Sequence, residues 1–424
     1  MSQYLDFVDL HYKPKKSDLI VLFRVEPGKG MSKREAIGRI AAESSNGTWT
    51  TLSTLKPHIR KIRARAYEFK GPYVKVAYPL ELFELGSIPQ LMSSVAGNIF
   101  GMKAVDNLRI IDIQFPEKYI KSFKGPQFGI EKIRKYMHIK DRPMVATVPK
   151  PKVGLTTKEH TKVIYNSWLG GVDFAKDDEN LTSQNFNKFS DRVKEAAKAR
   201  DKAEKETGEK KDYFINVTAE TKEMLKRAKI VKDHNFKYIM ADILTIGWSG
   251  LQTLRDETQD LKLAIHAHRA FHAAIDRNPK HGMTMLSLAK LARLIGVDNI
   301  HIGTVIGKLV GDKKEVLEIR EGIVRNKVYT PLPQNWHNLK DTIPVSSGGL
   351  HPGLIPQIIK MLGKGVVLQA GGGIHGHPKG SMAGAKSIRQ SIDASLKGVS
   401  LREYAKTHKE LDEAINKWKM ERPV

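Results

Sequence analysis

Gly170-Gly171-Val172-Asp173-Phe174-Ala175-Lys176-Asp177-Asp178-Glu179 decides how the chain is read. The first half is a short apolar run opened by two glycines, the pattern of a buried strand. The second half sets one lysine among carboxylates where that strand would end. Hard oxygen ligands suit Mg²⁺, which prefers carboxylate and substrate oxygens to nitrogen or sulfur cages. Taken alone, the charged run reads more readily as a solvated acidic turn, and it is the rest of the chain that shifts the reading toward a metal site.

Outward from this segment, the chain beyond Pro143 alternates β-rich runs with amphipathic stretches. Strands are expected at 144–148, 172–175, 213–217, 238–243, 263–267, 299–302, 343–345 and 366–368. Helices are expected at 157–168, 187–205, 219–234, 283–295, 313–325, 352–362 and 383–396, with a poorly defined one near 249–256. Eight β-then-α units predict a parallel (β/α)₈ TIM barrel in an α/β protein. Residues 1–125 read differently, with a strand at 19–25, a helix at 33–44 and a strand at 73–78, an α+β pattern. Gly125-Pro126-Gln127-Phe128-Gly129 is the expected junction, giving an N-terminal α+β domain over 1–125 and a catalytic barrel over 126–424. Residues 401–420 read as a charged helical tail packed on the barrel exterior.

The 424 residues are 40% hydrophobic and 28% charged, enough apolar material for a real core. No run approaches the ~18 apolar residues of a membrane helix, and the start shows no leader pattern, so a cytoplasmic chain without membrane contact is expected. The absence of cysteine excludes disulfides, thiolate nucleophiles and Cys-held metals. A net charge of +25 invites a nucleic-acid reading. The basic residues are interleaved with acids along helices, as in 194–205, and no nucleic-acid motif accompanies them. Nucleic acid is therefore not expected, and a field that steers a small anion is.

In barrels, catalytic groups come from the C-terminal ends of several strands. Here Lys150-Pro151-Lys152 follows the first strand, Lys176 to Glu179 the second, Asn216 and Thr218 the third, and His266-Ala267-His268-Arg269 the fifth. His301 and the loop from Gly303 to Lys308 follow the sixth, Ser346-Ser347-Gly348-Gly349 the seventh and Gly371-Gly372-Gly373 the eighth. The two glycine turns suit phosphate cradles, because backbone N–H groups can approach an oxyanion there. Arg269 and His301 could hold a second phosphate, which implies a bisphosphate. His266 and His268 share a strand face; zinc ligation, a core role and acid–base chemistry are all open to them. Lys308, in a glycine-flanked loop, could close over substrate and meet developing negative charge.

The 170–180 segment resembles the signature of the ribulose-1,5-bisphosphate carboxylase/oxygenase (RuBisCO) large chain. The resemblance extends through Glu43-Ser44-Ser45-Asn46-Gly47-Thr48-Trp49, Gly97-Asn98-Ile99-Phe100-Gly101, Lys150-Pro151-Lys152, 266–272, 301–308 and both glycine turns. It looks most like the archaeal form III branch, which lacks a small subunit.

The resemblance implies that Lys176 adds CO₂ to become a carbamate and binds Mg²⁺ with Asp178 and Glu179. It implies that Lys150 and the carbamate remove the C3 proton of ribulose 1,5-bisphosphate, giving an enediolate that reacts with CO₂ or O₂. Lys152 and His268 would assist later proton transfers, and Lys308 would polarise CO₂. One phosphate would rest on Thr48, Trp49, Gly349, Gly371 and Gly372, with Gly348 in the same cradle. The other would rest on Arg269, His301 and Ser347. Glu43, Thr48, Trp49 and Asn98 would complete a neighbouring subunit's site, making a homodimer or assembly of dimers. The substrate would come from nucleoside or AMP salvage or from an autotrophic cycle. Val148 stands where plant-type chains have threonine, and Val310 where glutamate is frequent, which bears on turnover and CO₂/O₂ discrimination. Three other functions are kept in view: a RuBisCO-like isomerase or enolase, a zinc hydrolase using His266 and His268, and RNA binding.

Overall fold

The computed structural model describes residues 3–306 and 313–420, and the chain forms two compact units. The larger is a closed barrel of eight parallel strands in chain order: Met144–Thr147, Phe174–Lys176, Asp212–Asn216, Tyr238–Asp242, Ala264–His268, Asn299–His301, Ile343–Ser347 and Val367–Ala370. The last strand closes on the first with Val367 beside Met144 and Ala370 beside Thr147. All eight lie within two residues of the expected runs, and their side chains are buried almost throughout.

Alternation along each strand sends every second side chain into the barrel. Met144, Ala146, Phe174, Phe214, Tyr238, Met240, Ala264, Ile343, Val345 and Val367 fill it as one packed core. The helix Gly129–Tyr136 and the turn after it supply Ile133, Met137 and Ile139 to the same cluster, so the N-terminal mouth is plugged. Asp298 accepts from the Phe128 backbone N–H (2.7 Å) and fixes that plug. The barrel is therefore solid below, and its opposite rim is free for chemistry.

The smaller unit comprises residues up to Gly125 together with Phe271–Ile295 and Arg325–Leu339. Its five-stranded sheet has the order Gly282–Met283, Val105–Gln114, Leu19–Pro27, Tyr73–Tyr78, Arg65–Lys70. The pairings are antiparallel except that of Gly282–Met283, which runs parallel to Val105–Gln114. The helix Lys33–Glu43 starts at Ser32, whose side chain accepts from the Glu35 N–H.

Two expectations are corrected. The helix expected at 283–295 as part of the barrel is observed as Met285–Ile295 in the smaller unit, so residues 126–424 are not one continuous body. All eleven of its side chains are buried, and Lys290 pairs with Asp112 at 2.6 Å, both charges being sealed from water. The tail at 401–420 is two helices, Leu401–Ala405 and Lys409–Trp418. His408 Nδ1 bonds the Tyr404 carbonyl (2.8 Å), a side-chain partner that replaces the next helical turn. Among the described residues no helix is long and apolar enough to cross a membrane.

Candidate active site at the C-terminal rim of the barrel

The strand ends surround a cavity of about 490 Å³, in the range of small-molecule sites. Lys150, Lys152, Lys176, Asp178, Glu179, His268, His301, Ser347, Gly348, Gly349, Gly371 and Gly372 all line it. Residues read from six separate strand ends thus meet in one place.

Lys176 points inward because Phe174, two residues earlier, lies in the core and the alternation continues. It is only 1% exposed, and its Nζ donates to the Asp177 carbonyl at 2.7 Å. Burial pushes its ammonium below the ordinary lysine range, with Glu179, Asp242, Asp178 and Asp177 opposing. Asp177 turns away from the cavity. Its carboxylate accepts from the Asn216 N–H (2.9 Å), contacts Arg192 (3.2 Å) and takes the Tyr213 hydroxyl, anchoring the segment from behind.

Asp178 and Glu179 face the cavity. Asp178 Oδ2 accepts from Lys150 Nζ (3.0 Å) and Oδ1 from Asn180 Nδ2 (2.9 Å). Burial resists ionisation of Asp178, but Lys150 and Asn180 hold its carboxyl below the usual carboxylate range. Glu179 Oε2 lies 3.6 Å from His268 Nε2, whose Nδ1 meets Asp242 Oδ1 at 3.0 Å. Burial and then Lys176 lower the His268 pKa, while Asp242 and Glu179 raise it. Among the described residues no three His, Asp or Glu side chains form a ready-made cation cage. Two carboxylates and a lysine fit a hard divalent ion once the lysine carries an oxygen-bearing group.

The glycine turns are built for close approach. Gly348 and Gly349 have φ of 115° and 73°, which only glycine adopts without strain. A side chain at Gly371 would press on Lys150 Cε, 3.2 Å from its Cβ. Behind that turn His375 bridges Thr147 Oγ1 (2.9 Å) and Ser381 Oγ (2.9 Å), tying the first strand's end to the eighth. Burial, then Lys150, lowers its pKa to about 4, so it is neutral in this clamp.

Arg269 is buried at the end of the fifth strand, and a side chain at Gly303 would lie 3.1 Å from its guanidinium. Glu43, Thr48, Trp49 and Asn98 belong to the smaller unit. Glu43 accepts from the Tyr4 hydroxyl (3.0 Å), the Thr48 carbonyl accepts from Gln3 (2.7 Å), and Asn98 is exposed. Trp49 is 79% exposed, an unusual setting for so large an apolar ring. Lys308 and Val310 lie outside the described residues.

The cavity has lining that the sequence reading missed: Gln369, His351 and Trp418. Gln369 was visible as the one polar residue in the run from Val366 to Ala370, at an inward position. Trp418 carried no such signal, since its place depends on how the tail docks; its ring centre is 5.9 Å from that of His351. The tail therefore reaches the rim of the cavity as well as the barrel exterior.

Family models for the catalytic and N-terminal domains of the ribulose bisphosphate carboxylase large chain match residues 129–418 and 6–119. The ribulose bisphosphate carboxylase of Pyrococcus abyssi is 51% identical over 98% of this chain and 96% of its own. The dimeric archaeal enzyme structure from Hyperthermus butylicus superposes with a TM-score of 0.94 at 50% identity, covering 98% of this chain and 99% of that one. The octameric Pyrococcus horikoshii enzyme, solved with sulfate, gives 0.93 at 50% identity, covering 98% and 96%. With its barrel, its cavity and these matches along nearly its whole length, the chain belongs to the ribulose bisphosphate carboxylase large-chain family of enzymes.

Proposed function

We propose that this protein is a Mg²⁺-dependent, form III ribulose-1,5-bisphosphate carboxylase/oxygenase that works as a dimer or an assembly of dimers without a small subunit. The observation that carries the reading is Lys176, a lysine sealed at the end of a barrel strand beside Asp178 and Glu179 and driven toward its neutral amine. A neutral amine can attack CO₂. The N–C bond forms, the amine proton leaves, and a cation becomes an anionic oxygen donor. Lys176, Asp178 and Glu179 would then hold Mg²⁺, which supplies charge stabilisation for substrate oxygens when bound.

The remaining side chains divide the work on the sugar. Lys150, facing the cavity beside Asp178, shares removal of the C3 proton with carbamylated Lys176, leaving the enediolate. Lys152 and His268 assist the later transfers, His268 being steadied by Asp242. Lys308 would meet the incoming CO₂ and the new carboxylate. Gly348, Gly349, Gly371 and Gly372 cradle one phosphate with Thr48 and Trp49, while Arg269, His301 and Ser347 serve the other. Glu43 and Asn98 complete the site from the partner subunit. The +25 charge favours capture of a doubly phosphorylated ketose.

Anaerobic protein given Mg²⁺, labelled bicarbonate and ribulose 1,5-bisphosphate is expected to place the label in 3-phosphoglycerate. Independently of turnover, ¹³CO₂ and Mg²⁺ should give a carbamate ¹³C signal that disappears in Lys176→Arg. Activity on a thiomethyl-pentulose phosphate with none on ribulose bisphosphate would assign the chain to an isomerase instead.

A further inference from the structure

His266 and His301 form a buried pair, 0% and 3% exposed, with His301 in the cavity wall and His266 behind it. Their Nε2 atoms are 3.0 Å apart, and His301 Nδ1 lies 2.7 Å from Ser347 Oγ. His266 Nδ1 is buried without a hydrogen-bond partner, and the ring stacks on Phe214 with centroids 4.1 Å apart. Burial, reinforced by nearby positive charge, pushes both imidazoles well below the ordinary histidine range. Each is neutral and so carries one N–H.

One proton must therefore lie between the two Nε2 atoms, and it can come from either ring. If His301 donates it, the N–H of His266 sits at Nδ1, sealed and unpaired, and His301 Nδ1 must take the Ser347 hydroxyl proton. Ser347 would then offer the cavity only lone pairs. If His266 donates it, the orphan at Nδ1 is a bare lone pair, a less costly orphan than a buried N–H. His301 Nδ1–H then donates to Ser347 Oγ, and the hydroxyl proton is released toward the cavity.

We propose that His266 is a positioning residue that fixes the tautomer of His301 and so aims the Ser347 hydroxyl as a donor at an anionic substrate oxygen. The idea rests on the bisphosphate reading of the cavity and refines it. Ser347, oriented in this way, adds its hydroxyl to the side of the cavity that His301 also lines.

The first test uses the unmodified full-length protein, ¹⁵N-labelled at histidine. His266 Nδ1 should show an unprotonated shift and His301 Nδ1 a protonated one. A protonated His266 Nδ1 overturns the proposal whether or not the protein fixes carbon, so the two claims fail separately. The second test compares His266→Phe, which keeps a ring on Phe214 but donates nothing, with His266→Gln, whose amide N–H can reach the Nε2 position. Inorganic phosphate, titrated calorimetrically, should bind His266→Phe about tenfold more weakly, the loss of one hydrogen bond to a charged group. His266→Gln should recover most of that loss, and in turnover the defect should fall on KM rather than kcat. Equal phosphate affinity in the Phe variant and the parent, or a Gln variant no better than Phe, would sink the relay.

Discussion

Gln369 occupies an inward position where the barrel could have used an apolar side chain. Val367, two residues earlier on the same strand, belongs to the packed core, yet Gln369 is 8% exposed and its Oε1 is buried without a partner. A sealed acceptor left unmatched costs about 1–3 kcal/mol, and such groups persist where a ligand completes them. Gln369→Leu keeps the volume and removes the unmatched amide. It is expected to raise stability by about 1 kcal/mol and to lower kcat/KM about tenfold, the opposition of stability and activity found at functional positions. Thermal melts and steady-state rates on the same preparation check both signs, and a variant that loses stability would mark the amide as structural. Lys176 was legible as the odd lysine among acids. Its burial and its bond to the Asp177 carbonyl were not, because they arise from strands that meet only in the closed barrel.

The plug under the barrel makes a prediction of a different kind. Asp298 accepts from the N–H groups of Phe128 (2.7 Å), Gly129 (3.4 Å) and Ile265 (3.1 Å), holding the start of the helix Gly129–Tyr136 against the strands. Asp298→Ala strips three donors of their acceptor and should cost about 2–4 kcal/mol, read from chemical denaturation. Burial, opposed by these donors, raises the Asp298 carboxyl to about 6, and burial does the same for Asp212 beside Tyr136. The folded chain thus binds these protons more tightly than the unfolded chain, where the pKa is near 4. Their contribution is complete below about pH 4 and declines as pH rises through 6. The stability difference between parent and Asp298→Ala should accordingly shrink across that window; a difference that grows with pH would refute the assignment. The barrel strands themselves were readable from sequence, since buried runs punctuated by helices leave a strong pattern. The helix Gly247–Leu261 was blurred because Ile246 offers no side-chain cap and Lys262, not glycine, takes the left-handed stop. The strand Val105–Gln114 was missed because its Asp106, Asn107, Arg109 and Asp112 hide the alternation, and Asp112 is buried against partners far away in sequence, Lys290 and the Leu332 N–H.

Residues proposed for one reaction are divided between two units of the chain, with Lys150, Lys176, Asp178 and Glu179 in the barrel and Glu43, Thr48, Trp49 and Asn98 in the smaller unit. If each site draws its barrel from one subunit and its smaller unit from the partner, damage to the two halves becomes separable between chains. Glu43→Gln and Lys176→Ala, each assembled alone, should be inactive, because every site contains one broken half. Dissociated together and reassembled, they should form mixed dimers in which the intact barrel of the Glu43 variant meets the intact smaller unit of the Lys176 variant. Random pairing makes about half the dimers mixed, with one good site of two, so activity should return to about a quarter of the parent value. That fraction holds for an assembly of dimers as well, provided exchange is complete. If Glu43 instead served the barrel of its own chain, every barrel with an intact lysine would still lack its glutamate. Mixing would then restore nothing, and the shared-site arrangement would have to be abandoned.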